Sequence, residues 1–548
     1  MYPKKELAQI VISACNQFDI DTVVISPGSR NAPLTVGFSN HPAIKTMSIV
    51  DERCAAFFAL GIAQQSEKPV AVLCSSGSAL LNYYPAIAEA FYSKIPLVVI
   101  SADRPKHLID IGDGQTIRQE NVFENHILFS ANLVENKKNF NINLTAEAIQ
   151  TAIHKKGPVH INVPFDEPLY ETVEELQFFD FPQVLINKQK EIESYEQLAS
   201  IWKSSSKKMM LVGTNYPNYK LQNLLTQFEE DSSVIILTET TSNIAAEKTI
   251  NSIDQLIFPF SDTDFNEFKP EVLLTFGGMV VSKKIKQLLR KNPPKHHWHI
   301  DELQSMNTYH CLSEYINEKP SDFLPRLLDS TFKNSGYQQK WLLEKKNRAV
   351  KHQSYLNTVP FSDLKAFELV LESIPDHSQL QLANSSIVRY AQLFNLNDSI
   401  SVFCNRGTSG IDGSTSTAIG ASLIKENQTV FITGDLSFFY DSNALWNHYI
   451  PNNFRIILIN NSGGGIFRFI PGPKSTNALD YFETPHQLTA LELSKMYQLD
   501  YKSVKSISEL SIELTDFYEA SCQPKILEVF TDKEINEKVL KEYFNFLK

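Results

Sequence analysis

Two apolar runs that each end abruptly on oxygen-bearing side chains constrain this chain more than any other feature. Residues 429–432 read Thr-Val-Phe-Ile and give way to Gly434 and Asp435. Residues 456–459 read Ile-Ile-Leu-Ile and stop at Asn460 and Asn461, followed by Ser462, Gly463, Gly464 and Gly465. An amphipathic segment separates the two runs, so the pattern is strand, helix, strand. A crossover of that kind makes the strands parallel, and the carboxyl ends of parallel strands are where open α/β sheets bind ligands. A carboxylate (Asp435), a carboxamide (Asn461) and free backbone carbonyls suit a hard cation. Mg²⁺ takes one or two carboxylates and completes its octahedron with water and phosphate oxygens. The glycines let the backbone approach an anion closely. An ordinary βαβ unit whose Asp and Asn only turn the chain has the same local pattern, so the rest of the chain must decide.

The same alternation recurs throughout. Short apolar runs at 21–25, 46–50, 69–74, 96–101 and 159–163 come first, and most end in a polar turn. A second set lies at 208–213, 234–238, 272–277 and 297–301, and a third at 379–382, 400–404, 429–433, 454–460 and 525–530. Strand and helix in alternation predict an α/β fold with doubly wound, mainly parallel sheets covered by helices on both faces. The length of 548 residues allows three or four such domains. The expected domains are residues 1–175, 190–345 and 360–548. The periodicity lapses in two polar linkers, 171–190 and roughly 345–360. The first and third domains look like variations on one sheet plan.

The net charge of −11 argues against nucleic acid as a partner. No apolar run approaches the ~20 residues that span a bilayer. The N-terminal residues alternate like an amphipathic helix and lack a signal peptide's apolar centre. The six cysteines form no C-x-x-C pair, which fits reduced core residues in a cytoplasmic protein. His296, His297 and His299 lie close together, but no third ligand at sensible spacing accompanies them. A surface strand start is expected there rather than a metal site.

The central stretch resembles the thiamine-diphosphate motif, Gly-Asp-Gly followed somewhat under thirty residues later by Asn-Asn. Asp435 and Asn461 are 461 − 435 = 26 positions apart, and Leu436 replaces the third glycine. Such a cofactor also needs a carboxylate against its pyrimidine ring. Glu52, at a strand end in Val50-Asp51-Glu52-Arg53, is placed for this; a plain helix N-terminal acid would look the same. Ile411 is the candidate bulky residue that bends the cofactor, with an ordinary core residue as the alternative. Arg30, Arg104, Arg118, Arg389 and Arg406 each lie in or beside a loop at a strand end or helix start. Arginine binds carboxylates bidentately and stays charged when desolvated. Five such residues in an acidic protein point to substrates with several carboxylates, with Ser29, Gln115 and Ser385 as neutral donors. Lys283 and Lys284 follow Gly277 and Gly278 at a helix start, where a solvated basic patch and a ligand contact are equally consistent.

The segments SPGSRNAPLT (26–35), DERCAAFFALGIA (51–63), SSGSALLNYYPAIAEA (75–90), SADRP (101–105), QTIRQ (115–119), NSSIVR (384–389), NRGTSGIDG (405–413) and the GDLSFFYD…NNSGGGIF stretch occur in order. Together they resemble the 2-succinyl-5-enolpyruvyl-6-hydroxy-3-cyclohexene-1-carboxylate synthases of menaquinone biosynthesis. Leucine at 436 is itself a feature of that family, and the resemblance is weak in the middle domain. It implies the thiamine-diphosphate-binding fold, with a pyrimidine-binding first domain and a diphosphate-binding third. It implies a transferase that decarboxylates 2-oxoglutarate and adds the succinyl carbanion equivalent to isochorismate, using thiamine diphosphate and Mg²⁺ or Mn²⁺. It implies that Glu52 activates the cofactor and that Asp435, Asn461 and the Gly463 carbonyl hold the metal. Ser76, Gly410, Ile411, Gly434, Leu436, Ser437, Gly464 and Ile466 would line the cofactor. Ser29, Arg30, Arg104, Gln115, Lys283, Ser385, Arg389, Arg406, Ile466 and Phe467 would line the substrates. At Lys284 the family often carries arginine. The resemblance further implies a homo-oligomer, a dimer at minimum and typically a tetramer, with each site shared between subunits.

Rival readings predict different features. A 2-oxoacid decarboxylase carries a His-His pair where residues 111–118 have Gln115 and no histidine. An acetolactate-type synthase binds a flavin. A non-catalytic nucleotide-binding regulator would not need Glu52. A P-loop is excluded, because no G-x-x-x-x-G-K-[ST] occurs.

Overall fold

The computed structural model describes residues 1–183, 195–328, 333–469 and 472–548. Three parallel sheets carry the chain. The first holds strands β1 (Thr22–Ile25), β2 (Lys45–Ser48), β3 (Val70–Cys74), β4 (Leu97–Asp103), β5 (Ser130–Asn132) and β6 (Val159–Pro164), in the order β2-β1-β3-β4-β6-β5. The second holds β7 (Lys208–Val212), β8 (Val234–Leu237), β9 (Val272–Phe276), β10 (His296–Ile300) and β11 (Glu314–Ile316), in the order β8-β7-β9-β10-β11. The third holds β12 (Gln379–Leu382), β13 (Ser401–Cys404), β14 (Thr429–Gly434), β15 (Phe454–Asn460), β16 (Asp500–Val504) and β17 (Lys525–Phe530), in the order β13-β12-β14-β15-β17-β16. Numbered within each sheet, the first and third share one strand order, 2-1-3-4-6-5. The likeness of plan between these two domains is therefore real.

The central strands are β-branched and aliphatic because helices bury both of their faces; β1, β3, β14 and β15 are buried almost throughout. The helix-covered faces of the first and third sheets join in one continuous core. Phe57, Phe58 and Leu60 of the first belong to the same apolar cluster as Ile419, Phe431 and Leu458 of the third. The closest approach is between helix Glu52–Ser66 and helix Ser414–Ser422. Glycine is required on both sides of this crossing. A Cβ on Gly61 would lie 2.1 Å from the Thr417 carbonyl oxygen, and one on Gly420 would lie 2.0 Å from that of Phe58.

Several expectations need correction. Residues 345–360 are not simply a linker, since helix Tyr337–Leu356 runs through most of them; Trp341, on its inner face, is fully buried. Of the 171–190 linker, Thr172–Val173 pairs antiparallel with Tyr2–Pro3, and Phe179 and Phe181 pack into the first domain's core; residues 184–190 lie outside the described residues. Strands β5, β11 and β16 were not anticipated. They are short edge or near-edge strands, and half-exposed polar residues hide their pattern. His297 and His299 are not at a surface: β10 lies between β9 and β11, both rings are buried, and each shares the Thr275 hydroxyl at 2.9 Å. No cluster of three metal-ligating side chains occurs among the described residues. No helix among them is long and apolar enough to cross a membrane.

Candidate active site

The central stretch folds as strand, short helix, strand. β14 pairs with β15 in parallel through Gly434 opposite Ile459, which sets Asp435 beside the turn that follows Asn461. The Asp435 carboxylate ties the two strand ends together. Its Oδ1 accepts the Leu436 N–H at 2.7 Å and its Oδ2 accepts the Gly463 N–H at 2.9 Å. His486, which the sequence did not single out, brings its Nε2 to 3.4 Å from Asp435 Oδ2. Gly463 has φ +144°, and a Cβ there would meet the Glu483 carbonyl oxygen at 2.5 Å. The buried Glu483 anchors this turn through Arg468 and Lys533.

Whether these residues fit a cation can be read from Asn461. Its amide nitrogen donates to Asp363 Oδ2 at 3.0 Å, while its Oδ1 is buried and has no hydrogen-bond partner. A buried amide oxygen is seldom left unpaired. The available donors are one carboxylate, one carboxamide oxygen and the Gly463 carbonyl, which already accepts the Gly465 N–H at 3.0 Å. Such a set is too small for an all-protein cage and fits a Mg²⁺-type ion completed by phosphate and water. Burial, with the Asp435 charge adding to it, pushes the Asp363 carboxyl up to about 6.

The Ile411 loop comes alongside, because the Ser437 hydroxyl donates to the Ile411 carbonyl at 3.0 Å. Gly410 lies in the same loop, its carbonyl held by Asn384 Nδ2 at 2.8 Å. Asn384 Oδ1 accepts from Arg406 at 2.7 Å. Arg389 and Arg406 are close enough that Arg406 contributes, after burial, to lowering the Arg389 pKa. Lys286, one turn into helix Lys283–Lys291, also has its pKa lowered by burial, with Arg406 and Lys283 adding to the effect. The middle domain thus brings the start of the Lys283 helix to the third-domain arginines. Lys283 itself is exposed, whereas Lys284 points elsewhere and donates to the Phe260 carbonyl at 3.2 Å. Ile466 and Phe467 lie on the turn Gly465–Arg468, both partly exposed, with the Phe467 ring 5.4 Å from that of Phe482.

The first domain assembles a second group. Glu52 begins helix Glu52–Ser66, which Asp51 caps by accepting the Cys54 N–H at 3.2 Å. Its Oε2 accepts from Asn82 at 3.3 Å. Arg30 is 3% exposed, donates to the Phe165 carbonyl and pairs with Glu167. Burial first, and the Arg104 charge second, lower its pKa. The Nε atoms of Arg30, Arg104 and Arg406 are all buried without partners. Like charges held this way, with unused donors, suit an anion with several carboxylates. Ser76 donates to the Gln115 carbonyl at 3.0 Å, and Ser29 and Gln115 are exposed. Arg118 does not join them: its side chain is 82% exposed and pairs with Asp110.

Some of these loops carry backbone strain. Gln115 (φ 56°), Ser385 (φ 68°), Ser409 (φ 63°) and Ser462 (φ 64°) are all non-glycine residues with positive φ, a state that persists only where the surroundings enforce it. The residues on either side of Glu52 contact the segment after Asp435. Arg53 donates to the Tyr440 carbonyl at 3.0 Å and lies 3.6 Å from Asp441, while Asn443 donates to Asp51 at 2.8 Å. Among the described residues, no hydrogen bond or ion pair joins Ser29, Arg30, Glu52, Ser76, Arg104 or Gln115 directly to the third-domain group.

The polar residues that sequence reasoning missed are Asp363, His486, Lys286, Glu89 and Asp441. Glu89 alone carried a signal, as a lone acid in an otherwise apolar helix. The buried Asp441 accepts the Ser416 N–H at 2.7 Å at the start of helix Ser414–Ser422.

Residues 5–128 match the family described as thiamine pyrophosphate enzyme, N-terminal TPP binding domain. Three doubly wound parallel sheets and that match define the class: the thiamine-diphosphate-dependent enzymes. The chain is 55% identical to the 2-succinyl-5-enolpyruvyl-6-hydroxy-3-cyclohexene-1-carboxylate synthase of Flavobacterium johnsoniae, with all of both chains covered. It is 54% identical to that of Flavobacterium psychrophilum and 52% to that of Christiangramia forsetii, again over the full length of each. The chain belongs to this synthase family and is a transferase.

Proposed function

We propose that the chain decarboxylates 2-oxoglutarate and adds the succinyl carbanion equivalent to isochorismate, a step of menaquinone biosynthesis that requires thiamine diphosphate and Mg²⁺ or Mn²⁺. The observation that carries this reading is the buried, unpartnered Asn461 Oδ1, two residues before the Gly463 N–H that Asp435 holds, in a chain similar over its full length to synthases of that name. When bound, thiamine diphosphate supplies the electron sink that lets a 2-oxoacid lose carbon dioxide. Asp435, Asn461 and the Gly463 carbonyl would hold the metal against the diphosphate. Gly434, Leu436, Ser437 and Gly464 would present backbone to it. Glu52 would take a hydrogen bond from the pyrimidine, with Ser76 near it, and Gly410, Ile411 and Ile466 would shape the space around the ring. Arg30 and Arg104 from one domain and Arg389, Arg406 and Lys283 from the others would bind the carboxylates of the two substrates. Such fixed cations orient two anions and offset their mutual repulsion. Ser29, Gln115, Ser385 and Phe467 would complete the substrate surface.

The pyrimidine-binding (1–175), central (190–345) and diphosphate-binding (360–548) domains would then form two half-sites per chain. A dimer as the smallest active unit and a tetramer as the assembly would follow the pattern of the synthase family that the chain resembles. Six unpaired cysteines support a cytoplasmic location. The test is carbon dioxide release from 2-oxoglutarate with thiamine diphosphate and Mg²⁺, with and without isochorismate. Strong stimulation by isochorismate, with loss of its absorbance, is expected. Release indifferent to isochorismate would assign a different acceptor, and no release would overturn the reading.

A further inference from the structure

We infer that Asp363 is a positioning residue that fixes which end of the Asn461 carboxamide faces the cation. The inference rests on the reading of Asp435 and Asn461 as a metal clamp. Asp363 begins helix Asp363–Ser373 and is 1% exposed. It lies 98 positions from Asn461 in the chain, on an element the metal motif does not include. Its Oδ2 accepts from Asn461 Nδ2 at 3.0 Å, and its Oδ1 accepts from the Thr531 hydroxyl. Its backbone N–H donates to Asn536 Oδ1 at 2.7 Å, and Asn536 Nδ2 donates to Thr531 Oγ1 at 3.1 Å. The carboxylate is therefore held by Thr531, and the backbone that carries it by Asn536, independently of Asn461.

A carboxamide has one donor end and one acceptor end, whereas an ionised carboxylate only accepts. Asp363 can face the NH₂ end of Asn461 and not the oxygen. Rotating the amide by half a turn would set oxygen against oxygen and point two N–H donors at the cation. With Asp363 in place, Asn461 Oδ1 is turned away from Asp363 and left buried and unpartnered. A ligand amide is oriented here by an outer carboxylate, as ligand histidines commonly are.

The test is Mn²⁺ affinity at pH 8 with saturating thiamine diphosphate, read from the spin-resonance signal of free Mn²⁺. The full-length wild type, D363N, T531V and D435A are compared. Asparagine at 363 keeps the size and can bond either end of Asn461, so the amide loses its fixed sense. Mn²⁺ affinity should fall by about 10–100-fold in D363N, with the metal-free melting temperature near that of the wild type. T531V frees the far oxygen of Asp363 without touching Asn461 and should show a smaller loss. A folded D363N that binds Mn²⁺ as tightly as the wild type would overturn the inference, and if D363N does not fold, unchanged affinity in T531V does so. A wild type that binds no Mn²⁺, or binds it no better than D435A, would instead overturn the clamp and the inference with it.

Discussion

Glu89 Oε1 accepts the Gly407 N–H at 2.7 Å, so a buried acid of the first domain holds a backbone amide of the third. The same carboxylate accepts the Thr408 N–H at 2.6 Å, the Thr408 hydroxyl at 2.8 Å and the Ser93 hydroxyl at 2.7 Å. Four donors thus converge on one 1%-exposed side chain, immediately after Arg406 and ahead of Ile411. Glu89→Gln replaces one acceptor oxygen with a donor and leaves donors facing it. The expected cost is about 1–3 kcal/mol, measured as a lower urea midpoint. KM for the anionic substrates should rise as the Arg406 loop loosens.

Glu52 sits at a helix start with only Asn82 hydrogen-bonded to its carboxylate. Glu52→Gln should therefore fold normally and keep its melting temperature. The rate should fall at least ~10²-fold, the usual scale for one lost acid/base group. Turnover near that of the wild type in steady-state assays would remove Glu52 from the proposed chemistry.

His160 is fully buried in β6, with its Nε2 2.7 Å from the Ser101 hydroxyl. Burial pushes its pKa down to about 3 from an ordinary 6.5. The unfolded chain takes up a proton as the pH falls below 6.5, and the folded chain resists until about 3. The stabilisation this residue contributes is therefore complete above 6.5 and is lost progressively across that window. His160→Asn should flatten the dependence of the urea midpoint on pH between 6.5 and 3. A slope equal to that of the wild type would show that other groups govern acid unfolding.

Gly61→Ala tests the crossing of the Glu52 and Ser414 helices. Its Cβ would sit 2.1 Å from a carbonyl oxygen, and overpacking of this kind typically costs about 1–3 kcal/mol. Alanine normally favours a helix over glycine by about 1 kcal/mol. A net fall in melting temperature therefore isolates the contact, and a rise would mean that the helices can part freely.

How far the sequence could be read depended on whether the deciding contacts were local. Strand ends such as Ile25–Ser26 and Gly434–Asp435 announce themselves by an abrupt change of polarity. All the buried central strands were legible for that reason. β16 (DYKSV) is an outer strand with mostly exposed, polar residues, so it lacks the apolar run that marks its neighbours. That Asp435 and Asn461 lie at neighbouring strand ends could be read from the strand-helix-strand pattern. The place of Asp363 could not be, because nothing near it in sequence says that its carboxylate meets an amide from β15's end. His297 and His299 were misplaced because a histidine buried in its neutral form looks, in sequence, like any surface histidine. Arg118 was grouped with four arginines that share its loop setting, but only the fold shows it turned outward to Asp110.

The paired glycines at the helix crossing, Gly61 and Gly420, have a mechanical meaning. Where backbone meets backbone there is no flexible side chain to compress and no rotamer to exchange. Sliding one helix along the other would drive a carbonyl oxygen into a main chain. The crossing acts as a rivet between the first and third sheets. The loops around Gln115 and Ile466 lie outside the rivet, so any movement that the proposed reaction demands falls to them rather than to the sheets.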